Sequence, residues 1–188
     1  MLRFVRLAAV AISVLAAAGC ATTMNVSSHV ERGIDFARYR TYDWGPADLL
    51  PTGDPRLDRN PFFQDHVQGA VEKQLAARGF AIATSGTPDL LIHYHATINQ
   101  RIDVDQRDHE YGYCYDDGCR AGVVEHEAGT LVLDIVDTRT NRVVWRGWAQ
   151  GSVEGVLGNE VSMARKINEG VTRMLARLPP TMQPPGER

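Results

Sequence analysis

Residues 90–105 alternate between apolar and polar side chains more regularly than any other stretch of this chain. A period of two predicts an extended strand that buries one face and exposes the other, as in antiparallel sheets. The apolar positions are Leu90, Ile92, Tyr94, Ala96, Ile98, Ile102 and Val104, and the polar positions are His93, His95, Thr97, Asn99, Arg101, Asp103 and Asp105.

Five further segments have the composition of strands, and the last two are joined by a turn at 137–141 as a hairpin. In the second hairpin strand we expect Val143, Trp145, Ala149 and Val153 to face the core, where Gly147 and Gly151 would let a helix pack closely. The five segments are 25–30, 40–44, 80–83, 127–136 and 143–153.

Two amphipathic helices flank these strands. Asn60-Pro61 has the composition of a helix start, and Asn159 is a second capping residue. Residues 45–59, which hold three prolines, are predicted to form a loop. The apolar stripe of the first helix is Phe63, Val67, Ala70, Val71 and Leu75, and that of the last is Val161, Ala164, Ile167, Val171, Met174 and Leu178.

The order of these elements predicts an α+β fold, a two-layer sandwich of one antiparallel sheet with two helices packed on one face. The segment that begins at Phe80 is the one place where a parallel crossover remains open. Residues 25–178 are expected to form a single domain, and residues 179–188, rich in proline, a flexible tail.

The first 19 residues are typical of a secretory signal peptide. Arg3 and Arg6 precede an apolar run that is too short to span a bilayer comfortably, and the run ends in small residues before Cys20. The residues from Leu15 to Cys20 resemble a bacterial lipobox. The resemblance implies a diacylglycerol thioether on Cys20, cleavage after Gly19 and acylation, for example with palmitate, of the new amino terminus. The alternative is ordinary signal cleavage nearby with Cys20 unmodified.

A lipidated Cys20 would place the protein on a membrane through acyl chains. Residues 20–24 would then be a tether of at most about 18 Å. By resemblance to proteobacterial lipoproteins, the absence of Asp after Cys20 favours the outer membrane, with the domain facing the periplasm. The net charge of −3 and the lack of a basic cluster argue against nucleic-acid binding.

Cys114 and Cys119 are the remaining cysteines, in a Tyr- and Gly-rich stretch predicted to be an exposed loop or hairpin tip. An export compartment permits a disulfide between them. Two free thiols are one alternative. A Cys₂His₂ zinc set with His109 and His126 is another, although its spacings differ from those of known zinc fingers.

No sequence motif of catalysis or cofactor binding occurs. The chain lacks a Gly-x-Ser-x-Gly elbow, a phosphate-binding glycine loop and a His-Glu-x-x-His pair. His93 and His95 share a strand face and could hold a metal with a third ligand, but two solvent-facing histidines are the simpler interpretation. We therefore expect no metal, no cofactor and no catalytic residue. An envelope hydrolase or metal-dependent enzyme, its site assembled from distant residues, is the alternative.

The polar face of the sheet is the predicted binding surface for an envelope protein. His93, His95, Arg146 and Trp148 fall on this face together with several valines. Trp and Arg are enriched where proteins bind each other, whereas a fully solvated face rarely collects Trp with valines. The alternative is that the N-terminal segment or the 45–59 loop covers this patch.

Five stretches in this order resemble the bacterial lipoproteins of domain-of-unknown-function family 4136. The resemblance covers nearly all of the mature chain and implies an envelope lipoprotein without an assigned activity. The chain departs from such proteins where Cys114 and Cys119 interrupt a Tyr- and Gly-rich stretch. The five stretches are Asp35-Phe36 with Tyr39, Thr41 and Trp44; residues 60–80, ending Leu75-Ala76-Ala77-Arg78-Gly79-Phe80; residues 88–95; residues 129–137; and residues 144–149.

Overall fold

A computed structural model describes residues 24–46, 53–104 and 123–180. Within these ranges the chain forms one six-stranded sheet in the order β1-β6-β5-β4-β2-β3. The prediction of an α+β chain with one sheet is confirmed. The strands are β1 (Asn25–Val30), β2 (Thr41–Trp44), β3 (Ala81–Ile82), β4 (Leu90–Val104), β5 (Val123–Asp137) and β6 (Arg142–Ser152).

Three α-helices accompany the sheet: α1 (Pro55–Asp58), α2 (Phe63–Ala76) and α3 (Glu160–Leu175). Asn159 caps α3 as predicted, its side-chain oxygen accepting the amide of Ser162 at 2.9 Å. Asn60 instead accepts the amide of Phe62, so it closes the turn before α2 and the helix begins later than predicted. The α1 turn lies in the predicted 45–59 loop and is capped by Asp54.

The sheet is mixed, so the prediction of an antiparallel sheet is wrong for β2. This strand lies between β4 and β3 and runs parallel to both, whereas β1, β6, β5 and β4 pair antiparallel. The helices between β2 and β3 carry the chain back to the end where β2 began, which is the crossover left open at Phe80. Because β3 has only two residues, a short turn then suffices to return the chain to the start of β4.

Asp89 fixes this parallel junction. Its Oδ2 accepts the backbone amides of Arg40 at 2.8 Å and Thr41 at 3.0 Å, so the start of β2 is held beside the start of β4. The amide of Thr41, above all, lowers the pKa of Asp89, and burial opposes the shift. One carboxylate thus replaces ladder hydrogen bonds at the point where two parallel strands begin.

A β-bulge decides which of two neighbouring valines, Val143 or Val144, is buried. The β5–β6 register shifts between Ile135 and Val136, so Val144 is 1% exposed and Val143 is 39% exposed. The prediction that Val143 faces the core is therefore wrong. An extra residue in one strand breaks the alternation, so the side chains on one side of the bulge point to the face opposite the one that simple alternation predicts. Trp145, which lies beyond the bulge, is fully buried as predicted.

The core joins one sheet face to the long helices. Ile92, Tyr94, Leu133 and Trp145 belong to the same buried cluster as apolar residues of α2 and α3. In α3 the first turn differs from the predicted stripe, because Val161 is 77% exposed and Met163 is buried instead. The helix residues of the cluster are Phe63, Val67, Ala70, Val71, Leu75, Met163, Ile167, Val171, Met174 and Leu175.

The two strand glycines predicted to admit a helix have different neighbours. A Cβ at Gly147 would collide with the indole ring of Trp145. A Cβ at Gly151 would lie 3.5 Å from the Cε of Lys166 in α3, which is ordinary contact. Gly147 therefore makes room for a core tryptophan of its own strand, and Gly151 faces the helix as predicted.

Candidate functional site

The four predicted binding residues lie on the sheet face opposite the core cluster, which we call the outer face. The strand register joins them in two adjacent rows across β4, β5 and β6. One row contains His93, Asp134 and Arg146, and the other contains His95, Val132 and Trp148. The strand register thus brings together residues that are about 50 positions apart in sequence, on the face that their alternation predicts.

Arg146 and Asp134 form the polar centre of the outer face. The guanidinium donates to both carboxylate oxygens at 2.6 Å, a bidentate geometry that is typical of strong ion pairs. Hydrogen bonding to Asp134, above all, raises the pKa of Arg146. Two of the five guanidinium donors are used here. The side chain is half exposed, so its other donors face outward beside the buried carboxylate.

His93 continues this row on β4 and lies under the backbone of Gly45. A Cβ at Gly45 would collide with the imidazole ring, and the Gly45 amide donates to Ile92 O at 2.9 Å. Burial lowers the pKa of His93, Asp134 opposes this shift, and His95 adds to it. The imidazole is therefore held towards its neutral form, with a partly covered ring.

Trp148 provides the large apolar surface of the outer face. It is 37% exposed, pairs with Val132 on β5 and faces Ser27 on β1. Val143, 39% exposed because of the bulge, adds a further apolar side chain on β6. An indole beside a guanidinium, with two imidazoles on β4 across β5, makes a mixed aromatic and polar surface, which is the composition of binding interfaces.

The N-terminal segment does not cover this patch with residues 25–30, because β1 joins the sheet beside β6. The 45–59 loop approaches the β4 side, where Gly45 contacts His93 and the amide of Gly53 donates to Ala96 O at 2.8 Å. The described residues of this loop also reach β5, where Arg56 pairs with Glu127 at 2.8 Å, whereas Trp148 on β6 is 37% exposed.

Among residues 24–46, 53–104 and 123–180, no three His, Cys, Asp or Glu side chains converge in a way that could hold a metal ion.

No helix in the described part of the chain combines the length and apolar character needed to cross a membrane. Cys20, Cys114 and Cys119 lie outside the described residues, so the lipidation and disulfide predictions stay predictions.

Sequence reasoning missed Asp134, the partner of Arg146. The residue lies between Leu133 and Ile135 in an apolar strand, where no local sequence pattern marks it as an ion-pair partner. A signal was present, because alternation places Asp134 on the same face as Arg146 once the hairpin register is known. Register was the missing quantity, since a bulge in β6 makes it impossible to count back from the turn.

Comparison with known proteins places the fold without assigning an activity. No curated protein matches the sequence significantly. A PDZ domain protein from Parabacteroides distasonis has 16% identity and a TM-score of 0.51, with 86% of this chain and 37% of that chain covered. At this identity the match shows the fold alone.

Two smaller solved proteins match at lower scores. The PelC dodecamer from Paraburkholderia phytofirmans has 11% identity and a TM-score of 0.48, covering 86% of this chain and 100% of that chain. A DUF4136 family protein from Bacteroides thetaiotaomicron has 13% identity and a TM-score of 0.47, covering 80% and 95%. The sequence profile described as "Domain of unknown function (DUF4136)" matches residues 26–180. This chain therefore belongs to the DUF4136 family.

Proposed function

We propose that this chain is a lipid-anchored protein of the bacterial cell envelope that binds another envelope protein through the outer face and performs no chemistry itself. The anchor is the acylated Cys20, on the outer membrane, with the domain in the periplasm. The charged, apolar and small-residue order before Cys20 supports this part of the proposal. Two or more acyl chains hold a protein stably where one holds it marginally.

The proposed architecture is two layers, with α2 and α3 together on the core face. The shared buried cluster supports it, since apolar residues of both helices and of the sheet belong to one buried cluster. With both helices on the core face, the outer face is formed by strands β1, β6, β5 and β4. A partner would then meet a surface of four strands, with Trp148 near the middle.

The exposure of Trp148 is the observation that carries the binding proposal. An indole that the domain itself leaves 37% exposed, next to a half-exposed arginine, can be buried at little cost in side-chain entropy. Arg146 is already oriented by Asp134, so binding does not have to order it. A matching partner would place an apolar group against Trp148 and hydrogen-bond acceptors against the outward-facing N–H groups of Arg146.

Site-specific photo-crosslinking in intact cells tests this proposal. A photoreactive residue replaces Trp148 in one strain and Phe62 in another, because Phe62 is a 47% exposed aromatic at the start of α2. We expect a discrete protein adduct from position 148 that is absent from position 62. Equal adduct patterns, or none from position 148, would contradict a binding role for the outer face.

Membrane fractionation tests the anchor independently. Cys20→Ala should move the protein from the membrane fraction to the soluble fraction, and the native protein should carry the mass of its acyl groups. Native protein found entirely in the soluble fraction, without added lipid mass, would overturn the anchoring part and leave the crosslinking result unaffected.

A further inference from the structure

A cavity opens between the core face of the sheet and α3. It measures about 80 Å³, whereas one water needs only about 10–15 Å³ on this scale. Folded interiors seldom leave spaces larger than a water. This space is therefore large enough for a chain of about six heavy atoms, and it lies on the side of the sheet opposite Trp148.

The lining of this cavity is mostly apolar. The sheet contributes Ala96, Leu131 and Ala149, α3 contributes Met163 and Ile167, and the loop after β6 contributes Leu157. Such a lining favours an apolar occupant. Small residues keep it open: Gly151 and Gly170 line it where larger side chains would fill the space.

Lys166 gives the cavity one cationic group. Its half-buried side chain lines the space, with the stem beside Gly151. Among the described residues, the ammonium makes no ion pair or hydrogen bond. A lysine stem can lie along apolar surface while its ammonium stays polar, so Lys166 can contact an alkyl chain and an anionic head group at once.

A polar cavity of about 270 Å³ adjoins the apolar one and shares Val156 and Lys166 with it. Ser152, Ser162 and Arg165 line this second space, and so do Glu154 and Glu169. Glu169 is paired with Arg173 at 3.1 Å, so its charge is largely compensated. The remaining charges, Arg165 and Lys166 against Glu154, favour an anionic group near Lys166.

We propose that the two cavities together bind a free fatty acid, with its chain in the apolar cavity and its carboxylate beside Lys166. The apolar lining selects the chain, and the ammonium at the junction selects the acidic head. Decanoate is the probe, since it is longer than the six-atom space and can reach the polar cavity with its head. The inference does not rest on the four binding residues of the outer face, because none of them lines either cavity.

Calorimetric titration of the exported full chain with decanoate, below its micelle concentration, tests the proposal. The chain carries Cys20→Ser, so that no anchor of its own can enter the cavity. We expect one decanoate per chain. Lys166→Met should weaken decanoate binding by about tenfold or more and leave 1-decanol binding unchanged, because it keeps the apolar stem and removes the charge. Lys73→Met, on the exposed side of α2, is the matched control and should change neither ligand.

Filling the cavity should abolish binding of both probes. Leu131→Phe adds volume at a lining residue, and Ile98→Phe is a second variant for the case that the first does not fold, as judged by circular dichroism. Undiminished decanoate binding in a folded filled variant, or no binding by the parent chain, would overturn the proposal. Decanoate binding by the Cys20→Ser chain but not by the acylated parent chain would also overturn the proposal, because the protein's own anchor would then be the occupant.

Discussion

Arg146 and Asp134 form an asymmetric ion pair across the β5–β6 ladder. Both bonds measure 2.6 Å, yet Asp134 is 4% exposed and the Arg146 side chain is 50% exposed. Loss of the arginine strands a buried carboxylate, whereas loss of the aspartate leaves a guanidinium that water can solvate. The two residues therefore contribute differently to stability, although they share the same two hydrogen bonds.

Arg146→Ala should lower the free energy of unfolding by about 2–3 kcal/mol, and Asp134→Ala by about 1 kcal/mol. Urea unfolding at pH 7 measures both. Arg142→Ala is the matched control, because Arg142 pairs with Glu31 at 2.9 Å but is 68% exposed, and it should cost under about 0.5 kcal/mol. Equal losses for Arg146 and Asp134 would show that burial does not govern the pair.

Gly147→Ala should destabilise the domain by about 1–3 kcal/mol, because the new methyl group would collide with the buried ring of Trp145. Gly151→Ala on the same strand should change stability by less than about 0.5 kcal/mol, since its neighbours lie 3.5 Å or more away. Thermal unfolding of the two variants checks the difference. A larger loss at Gly151 would mean that α3 packs more tightly on β6 than the structure shows.

Trp145→Ala and Trp148→Ala compare two tryptophans of one strand. Trp145 is fully buried, so Trp145→Ala should cost about 3–5 kcal/mol, whereas Trp148→Ala should cost about 1 kcal/mol because Trp148 is partly exposed. Urea denaturation gives both values. A cost of several kcal/mol at Trp148 would place it in a second core and remove the basis for a binding face.

Acid should weaken the contact that holds Tyr39 to the β5–β6 turn. Asp137 is fully buried and accepts Tyr39 OH at 2.7 Å and the amides of Arg139 and Thr140. Burial alone would raise the pKa of Asp137, but these hydrogen bonds together lower it. A lowered folded pKa contributes stability above the ordinary carboxyl pKa, and this stability is lost as the pH falls through the folded value.

Tyr39→Phe should therefore cost about 1–3 kcal/mol at pH 7, and the cost should shrink as the pH falls through the lowered pKa of Asp137, where the carboxylate becomes protonated. Tyr42→Phe is the control, because Tyr42 is as buried and its hydroxyl has no hydrogen-bond partner within the described residues. Urea unfolding at several pH values measures both variants. A Tyr39→Phe cost that is constant from pH 7 to pH 2 would argue against an ionised Asp137.

Cys114 and Cys119 should form a disulfide in the exported protein, since four residues separate them and Asp117-Gly118 favours a turn. The loop is short, so the chain-entropy gain is about 2 kcal/mol. Thiol labelling of the unreduced protein decides the matter. Complete modification of both cysteines would rule the bond out, and labelling after reduction confirms that the thiols are accessible.

The predictable part of this fold follows from side-chain periodicity. Leu90, Ile92 and Tyr94 are buried on β4 as their alternation predicts, and His93 and His95 lie opposite them. Periodicity depends only on the local chain, so it identifies a strand and its faces well. The placement of Arg146 and Trp148 on the outer face followed from the same rule.

Relations between strands were harder to predict. The parallel position of β2 depends on where a crossover delivers β3, and the exposure of Val143 depends on a bulge. Asp134 was missed for the same reason, because its partner is set by register. The cavity beside Lys166 arises from the distance between α3 and the sheet, which no single segment encodes.

The position of β1 at the edge of the sheet has a consequence for the order of assembly. β1 is made first, yet its partner is β6, and Asn25 pairs with Gln150. Contacts of such long sequence separation carry a large loop-closure cost, so we expect β1 to stay unpaired while β4, β5 and β6 assemble. During this time the edge of β6 is open to any matching strand. The β1 of a neighbouring chain fits it equally well, so we expect strand exchange between crowded copies to be the characteristic misassembly of this topology.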